Sequence, residues 1–160
     1  MRLLILAVGH ARGTEEGALT EAYRTRAANM GKRLGFTSVN VEEVAISKHR
    51  NAAARIRAEG ERLAARIPEQ AHVISLDAKG KGMTSGAFAE ILGAMRDSGA
   101  RDLAFLIGGP DGLNAGPKVK PGRSLAFGPQ TWPHLIARAM LAEQIYRAMT
   151  ILAGHPYHRG

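Results

Sequence analysis

Short apolar runs alternate with helix-patterned stretches along the whole chain, and this alternation restricts the fold more than any other property of the sequence. Runs at residues 3–8, 38–44, 73–77, 103–107 and 124–127 are short, several are β-branched or aromatic, and Gly or Pro closes them, which marks strands. Helices are expected between them. Thr14, followed by Glu15 and Glu16, is the N-cap of a first helix in which Leu19, Ala22, Tyr23, Ala27, Met30 and Leu34 keep helical spacing up to Gly35. A second covers residues 52–67 and ends before Pro68. Thr84 caps a third, with Phe88, Ile91, Leu92 and Met95 on one face and Gly99 at its end. A fourth runs from His134 to Leu152. Strands separated by helices call for parallel pairing, because a parallel neighbour needs a crossover long enough to hold a helix. The expected fold is a doubly wound parallel α/β sheet forming a single domain over residues 1–160, a length that buries a full core. In such sheets ligands sit beyond the carboxyl ends of the strands, here Gly9-His10, Leu76-Asp77-Ala78, Gly108-Gly109-Pro110 and the turn after Phe127.

Composition removes several classes of chemistry. With no cysteine there are no disulfides, thiolate nucleophiles or Cys-based zinc sites, and a reducing, intracellular setting is expected. His10, His49 and His72 lack partners at ligand spacing, so no metal is expected. The opening Leu3–Val8 run, cut off by Gly9-His10-Ala11-Arg12, is too short for a secretion signal or a membrane span and reads as a buried strand. Net charge is +8, and from Gly112 onward six basic residues face the single acid Glu143. Such a cationic end attracts a polyanion.

Three segments carry candidate chemistry. In Phe105-Leu106-Ile107-Gly108-Gly109-Pro110-Asp111-Gly112 an apolar strand runs into glycines, whose missing side chains let a ligand approach the backbone. Taken alone this also fits a tight turn without a ligand. Gly128-Pro129-Gln130-Thr131-Trp132-Pro133-His134 is a stiff loop ahead of the last helix, able to offer main-chain groups and a Trp132 wall to an adenine or methionine moiety. The plain alternative is a loop that seats the helix with Trp132 in the core. The last helix is apolar around most of its circumference, so one side is expected on the sheet and another on a second subunit. Glu143 and Arg147 stand at i and i+4 as an ion pair, while Arg138 lies among apolar neighbours, a costly position unless a carboxylate or ligand pairs it. Gly154 and Pro156 stop the helix, leaving Tyr157, His158 and Arg159 as a tail suited to stacking, proton exchange and phosphate contact. Residues 114–123, with two prolines and two glycines, are expected as an exposed basic loop.

Leu106-Ile107-Gly108-Gly109-Pro110-Asp111-Gly112-Leu113, Thr131-Trp132-Pro133-His134, Glu143-Gln144-Ile145-Tyr146-Arg147-Ala148 and His155-Pro156-Tyr157-His158-Arg159 closely resemble the RlmH-type methyltransferases of the SPOUT superfamily, which methylate N3 of a pseudouridine in large-subunit (23S) ribosomal RNA. The resemblance spans essentially the whole chain. It implies a C-terminal trefoil (α/β) knot, a SPOUT-like homodimer with its active site between subunits, and action in the cytoplasm on assembled ribosomes. By matching positions it implies that S-adenosylmethionine lies against Leu76, Gly108, Gly109 and the loop Gly128, Pro129, Gln130, Thr131, Trp132 and Pro133. His134, Arg138, Glu143, Arg147, Tyr157 and His158 are then expected around the target base, with His158 the first candidate for general base. The partners are a second copy, the ribosome and its large-subunit RNA; membrane and DNA are not expected. A non-catalytic ribosome-binding factor on the same fold is the alternative. A nucleotide-binding domain of dehydrogenase type is disfavoured, because GxGxxG is missing after the first strand.

Overall fold

The structure is a computed structural model that describes residues 1–114 and 122–159. In chain order it contains β1 (Arg2–Val8), α1 (Glu15–Gly31) with a 3-10 turn at Lys32–Leu34, β2 (Ser38–Val44) and α2 (Ala52–Ala64). There follow β3 (His72–Lys81), α3 (Ser85–Asp97), β4 (Asp102–Ile107), β5 (Arg123–Leu125) and α4 (His134–Leu152). Side chains fix the helix starts: Thr14 accepts from the Gly17 N–H at 3.0 Å, Asn51 from Ala54 at 3.2 Å and Thr84 from Ala87 at 3.1 Å. Each satisfies a backbone donor that has no partner within its helix.

The five strands form one parallel sheet in the order β2-β1-β4-β3-β5. The central strand β4 is buried at every position, as an apolar run covered on both sides must be. Alternation along β1 divides the core. Leu3, Ile5 and Ala7 join Phe105, Phe88, Leu92 and Ile145 beneath α1, α3 and α4; Leu6 and Val8 face Leu63 of α2 with Ala104 and Leu106. Each buried Leu, Ile, Val or Phe among them contributes about 1.5–3 kcal/mol.

The doubly wound sheet is therefore as expected, with adjustments at its edges. β3 continues past Asp77 to Lys81, because after an irregularity at Leu76 the strand resumes pairing where Lys81 meets Leu125. β5 is shorter than expected and ends at Leu125. Leu19, expected on the buried face of α1, is 50% exposed, and α1 instead meets α4 through Tyr23 against Tyr146 and Gly31 beside Met149, with Ala27 in the core they share. Residues 115–121 of the expected basic loop lie outside the described residues.

Helix α4 lies between α1 and α3, which hide Leu141, Ala142, Ile145, Ala148 and Met149 within the chain itself. Most of its apolar circumference is thus used internally, and the helix alone does not require a second subunit. Ile136 remains exposed, as do Trp132 just before α4 and Ile46 after β2. No described helix is long and apolar enough to cross a membrane.

Candidate active site

The carboxyl ends of β3, β4 and β5 open on a cleft of about 430 Å³. Leu76 and Asp77 line it from the irregular stretch of β3, Gly108 and Gly109 follow β4 into it, and Leu125 to Gly128 line it from the end of β5 onward. Ile56 of α2 and His134 at the start of α4 complete the wall with Gln130, Thr131 and Trp132. Of the residues expected around a donor, Leu76, Gly108, Gly109, Gly128, Gln130, Thr131 and Trp132 share this one space. Pro129 and Pro133 belong to the same loop without lining it. Trp132 is 42% exposed, so it is no core residue; its indole N–H donates to the Phe127 carbonyl at 3.0 Å and ties the loop to the end of β5.

Gly108 has no room for a side chain, since a Cβ there would lie 2.3 Å from the Gly112 carbonyl oxygen. The turn closes through Gly112 N–H donating to Gly109 O at 3.0 Å. Asp111 at its outer corner is held by Arg55 of α2 in two bonds of 2.6 and 2.9 Å. Paired groups of this kind keep a backbone surface in one shape before a ligand arrives.

His134 is half-buried, and its Nε2 lies 3.0 Å from where a side chain on Gly9 would begin. Burial, and next the positive charge of Arg138, pull its imidazole below the usual histidine value, against a smaller opposing pull from Glu59. An imidazole so placed is neutral near pH 7. A folded-state value below the unfolded one adds stability at higher pH, which is lost as pH falls below the unfolded histidine value. We expect an NMR titration to place the His134 midpoint below that of a histidine peptide; a midpoint at or above it contradicts this arrangement.

Arg138 sits apart from the cleft. It is fully buried; Nη1 donates to Glu43 Oε1 at 2.5 Å, and Nη2 donates to the carbonyls of Val8 at 3.1 Å and Gly9 at 2.9 Å. Burial lowers its value while Glu43 opposes the shift. Burial pushes Glu43 the other way, but the Ala11 N–H, His10 and Arg138 together keep its carboxyl below the usual range. The carboxylate that the sequence demanded for Arg138 is therefore Glu43 of β2, and the pair ties α4 to the ends of β1 and β2. It borders a second, wider cavity of about 900 Å³ with His10 and Thr14.

The tail folds back on α4 as a third group. Arg147 donates to Glu143 Oε1 at 2.9 and 2.5 Å, and the Tyr157 hydroxyl donates to the same oxygen at 3.1 Å. The Arg147 guanidinium lies 4.8 Å over the Tyr157 ring and 3.5 Å from His158 Nδ1. Burial, then the Tyr23 hydroxyl and Glu143, raise the Tyr157 phenol well above its usual value, so it stays protonated and acts as a donor. Tyr23 and Tyr146 extend the aromatic group.

Glu143 and Arg147 lie nine and thirteen residues along α4 from His134, which at 1.5 Å per residue separates the cleft from the tail group by about 14–20 Å. Within one chain the structure does not bring the two together. Sequence reasoning missed Ile56, Glu43, Glu59 and Tyr23, which sit on other elements and carry no local motif. No described histidine and carboxylate cluster suits a metal.

With this geometry in place, comparison with known proteins decides the family. A family model described as a predicted SPOUT methyltransferase matches residues 1–158. The chain belongs to the SPOUT methyltransferase family. It is 49% identical over its whole length to a ribosomal RNA large subunit methyltransferase H from Nitrobacter winogradskyi, covering all of that protein. It is 50% identical, over 99% of both chains, to proteins of the same name from Hyphomonas neptunium and Phenylobacterium zucineum. A solved probable methylase family protein from Haemophilus influenzae aligns at 13% identity with a TM-score of 0.47, covering 99% of this chain and 70% of that one. In this SPOUT methyltransferase the glycine turn, the proline-rich loop and the aromatic tail each occupy a defined place on the sheet or on α4.

Proposed function

We propose that this SPOUT methyltransferase transfers a methyl group to N3 of a pseudouridine in large-subunit ribosomal RNA on the assembled, cytoplasmic ribosome, working as a knotted homodimer. The observation that carries this reading is the cleft where the glycine turn and the loop before α4 meet. The cleft fits the expected donor, S-adenosylmethionine. Its volume is in the range of small-ligand sites, Leu76, Phe127 and Trp132 supply apolar walls, and Gly108 and Gly109 line it with backbone that carries no side chain. When bound, that group supplies an electrophilic methyl at sulfur, so the protein must align the acceptor nitrogen and remove its proton.

Leu76, Gly108, Gly109 and the 128–133 loop hold the donor, and Pro129 and Pro133 stiffen that loop. The tail group addresses the base. Arg147, fixed by Glu143, stabilises charge that develops on the base carbonyls. Tyr157 presents a ring and a donated proton. While Arg147 donates to His158 Nδ1, that nitrogen holds the imidazole lone pair, so it is Nδ1 that takes up the N3 proton as Arg147 turns to the base carbonyls. The roughly 14–20 Å between cleft and tail along α4 supports a site completed by the partner copy. So does the gathering of the exposed Trp132, Ile136 and Ile46 at the start of α4, beside His134. The charge of +8 suits a phosphate backbone.

The test is to incubate purified ribosomes with the protein and a methyl-labelled donor, then to digest the RNA and identify the labelled nucleoside by mass spectrometry. Label on a large-subunit pseudouridine is the expected result. Label on another RNA only, or on none, overturns the assignment, and absence of label together with donor-independent ribosome binding points to a binding factor.

A further inference from the structure

Glu59 of α2 is a carboxylate that neither the fold nor the proposed chemistry has used. It is 2% exposed; Oε1 accepts the Ser47 N–H at 2.7 Å, and Oε2 is buried without a hydrogen-bond partner. That free oxygen lies 3.0 Å from the point where a Cβ on Gly109 would stand, directly behind the glycine turn that walls the cleft. No cation hydrogen-bonds to that oxygen. Arg55, one turn earlier on α2, feels the charge of Glu59 but gives its bonds to Asp111, and Arg138 is held by Glu43. A buried carboxylate supported by one N–H donor is costly, and an unsatisfied polar group in a native interior usually has a role.

We infer that Glu59 is a positioning residue, a fixed counter-charge whose free oxygen stabilises a cation held in the cleft on the other side of Gly109. This rests on the cleft being the donor site. The donor carries positive charge on sulfur, whereas the product left after methyl transfer is a neutral thioether with the same adenosine and amino-acid parts. An anion behind a side-chain-free wall in a region of low dielectric acts across several ångströms, and it distinguishes the two by charge alone. Glu59 would therefore favour the charged donor over the spent product without touching either.

Calorimetric titration of wild type and Glu59→Gln with S-adenosylmethionine and with S-adenosylhomocysteine tests this. Glutamine keeps an acceptor for Ser47 and removes the charge. The expected result is donor binding weakened about tenfold and product binding changed less than about twofold, the size of effect a single fixed charge supplies at this range. Weakening of both ligands by the same factor, or of neither, overturns the inference while leaving the cleft assignment standing. Failure of the wild type to bind either ligand removes the cleft assignment and this inference with it. Should Glu59→Gln not fold, Glu59→Asp, which draws the charge back by one methylene, is expected to weaken the donor selectively by a smaller factor; equal loss of both ligands would again count against the role.

Discussion

Arg138→Met is expected to lower the stability of the folded chain by about 3 kcal/mol, the largest effect of any single substitution considered for this fold. Methionine fills much of the volume and removes the charge. It takes the buried guanidinium from Glu43 and one donor from each of the carbonyls of Val8 and Gly9. Glu43 is a quarter exposed at its side chain, so water relieves part of the penalty, and the lower end of the range for a broken buried pair applies. Urea unfolding should show the loss directly, and the melting temperature should fall by about 6–12 °C for a chain of this size. Adding Glu43→Gln should recover part of it, because the stranded charge is then gone. A loss below about 1 kcal/mol would mean that the pair does not tie α4 to the sheet.

Gly108→Ala is expected to weaken methyl-donor binding at least about tenfold, equivalent to about 1.4 kcal/mol or more. The new Cβ would meet backbone: Gly112 O at 2.3 Å, Gly112 C at 2.6 Å and the Leu113 side chain at 2.9 Å. Backbone gives way by moving, so the turn that walls the cleft opens or tilts. Gly108 lies past the end of β4, so the damage falls more on ligand binding than on the core. Calorimetry with S-adenosylmethionine alongside a thermal melt separates the two. Unchanged donor affinity in a folded variant would place the donor somewhere other than this turn.

Much of the fold was legible because its signals are local. An apolar run such as Leu103–Ile107 is a buried strand whatever surrounds it, and Thr14 and Thr84 announce helix starts through a bond three residues away. The misplaced features are those set by tertiary pairing. β3 runs on to Lys81 only because Leu125 is there to meet it. Leu19 fits a helical stripe in spacing, yet α1 turns Tyr23, Ala27 and Gly31 toward α4.

The same division holds at the site. The glycine turn and the loop before α4 could be picked out from composition, and the demand of Arg138 for an anion followed from its apolar neighbours. Its partner could not be read, since Glu43 is 95 residues away in sequence. Glu59 stands among the charges of an ordinary amphipathic helix, and nothing local marks it as the one that is buried. The apolar circumference of α4 says only that several neighbours exist; α1 and α3 supply two of them within the chain, and Ile136 stays exposed.

The proposed enzyme assembles its site from the cleft of one copy and the aromatic, cationic tail of another. The most direct test is subunit complementation. Gly108→Ala, defective in the cleft, and Arg147→Ala, defective in the tail group, are each expected to be strongly impaired on ribosomes as pure proteins when the methyl donor is kept limiting. Co-expressed at equal levels, half of the dimers are mixed, and each mixed dimer holds one site made of an intact cleft and an intact tail. Methyl transfer should therefore return to about a quarter of the wild-type rate. If both halves of the site belong to the same chain, every chain in the mixture carries one defect, and activity that stays at the level of the separate variants would contradict the shared site.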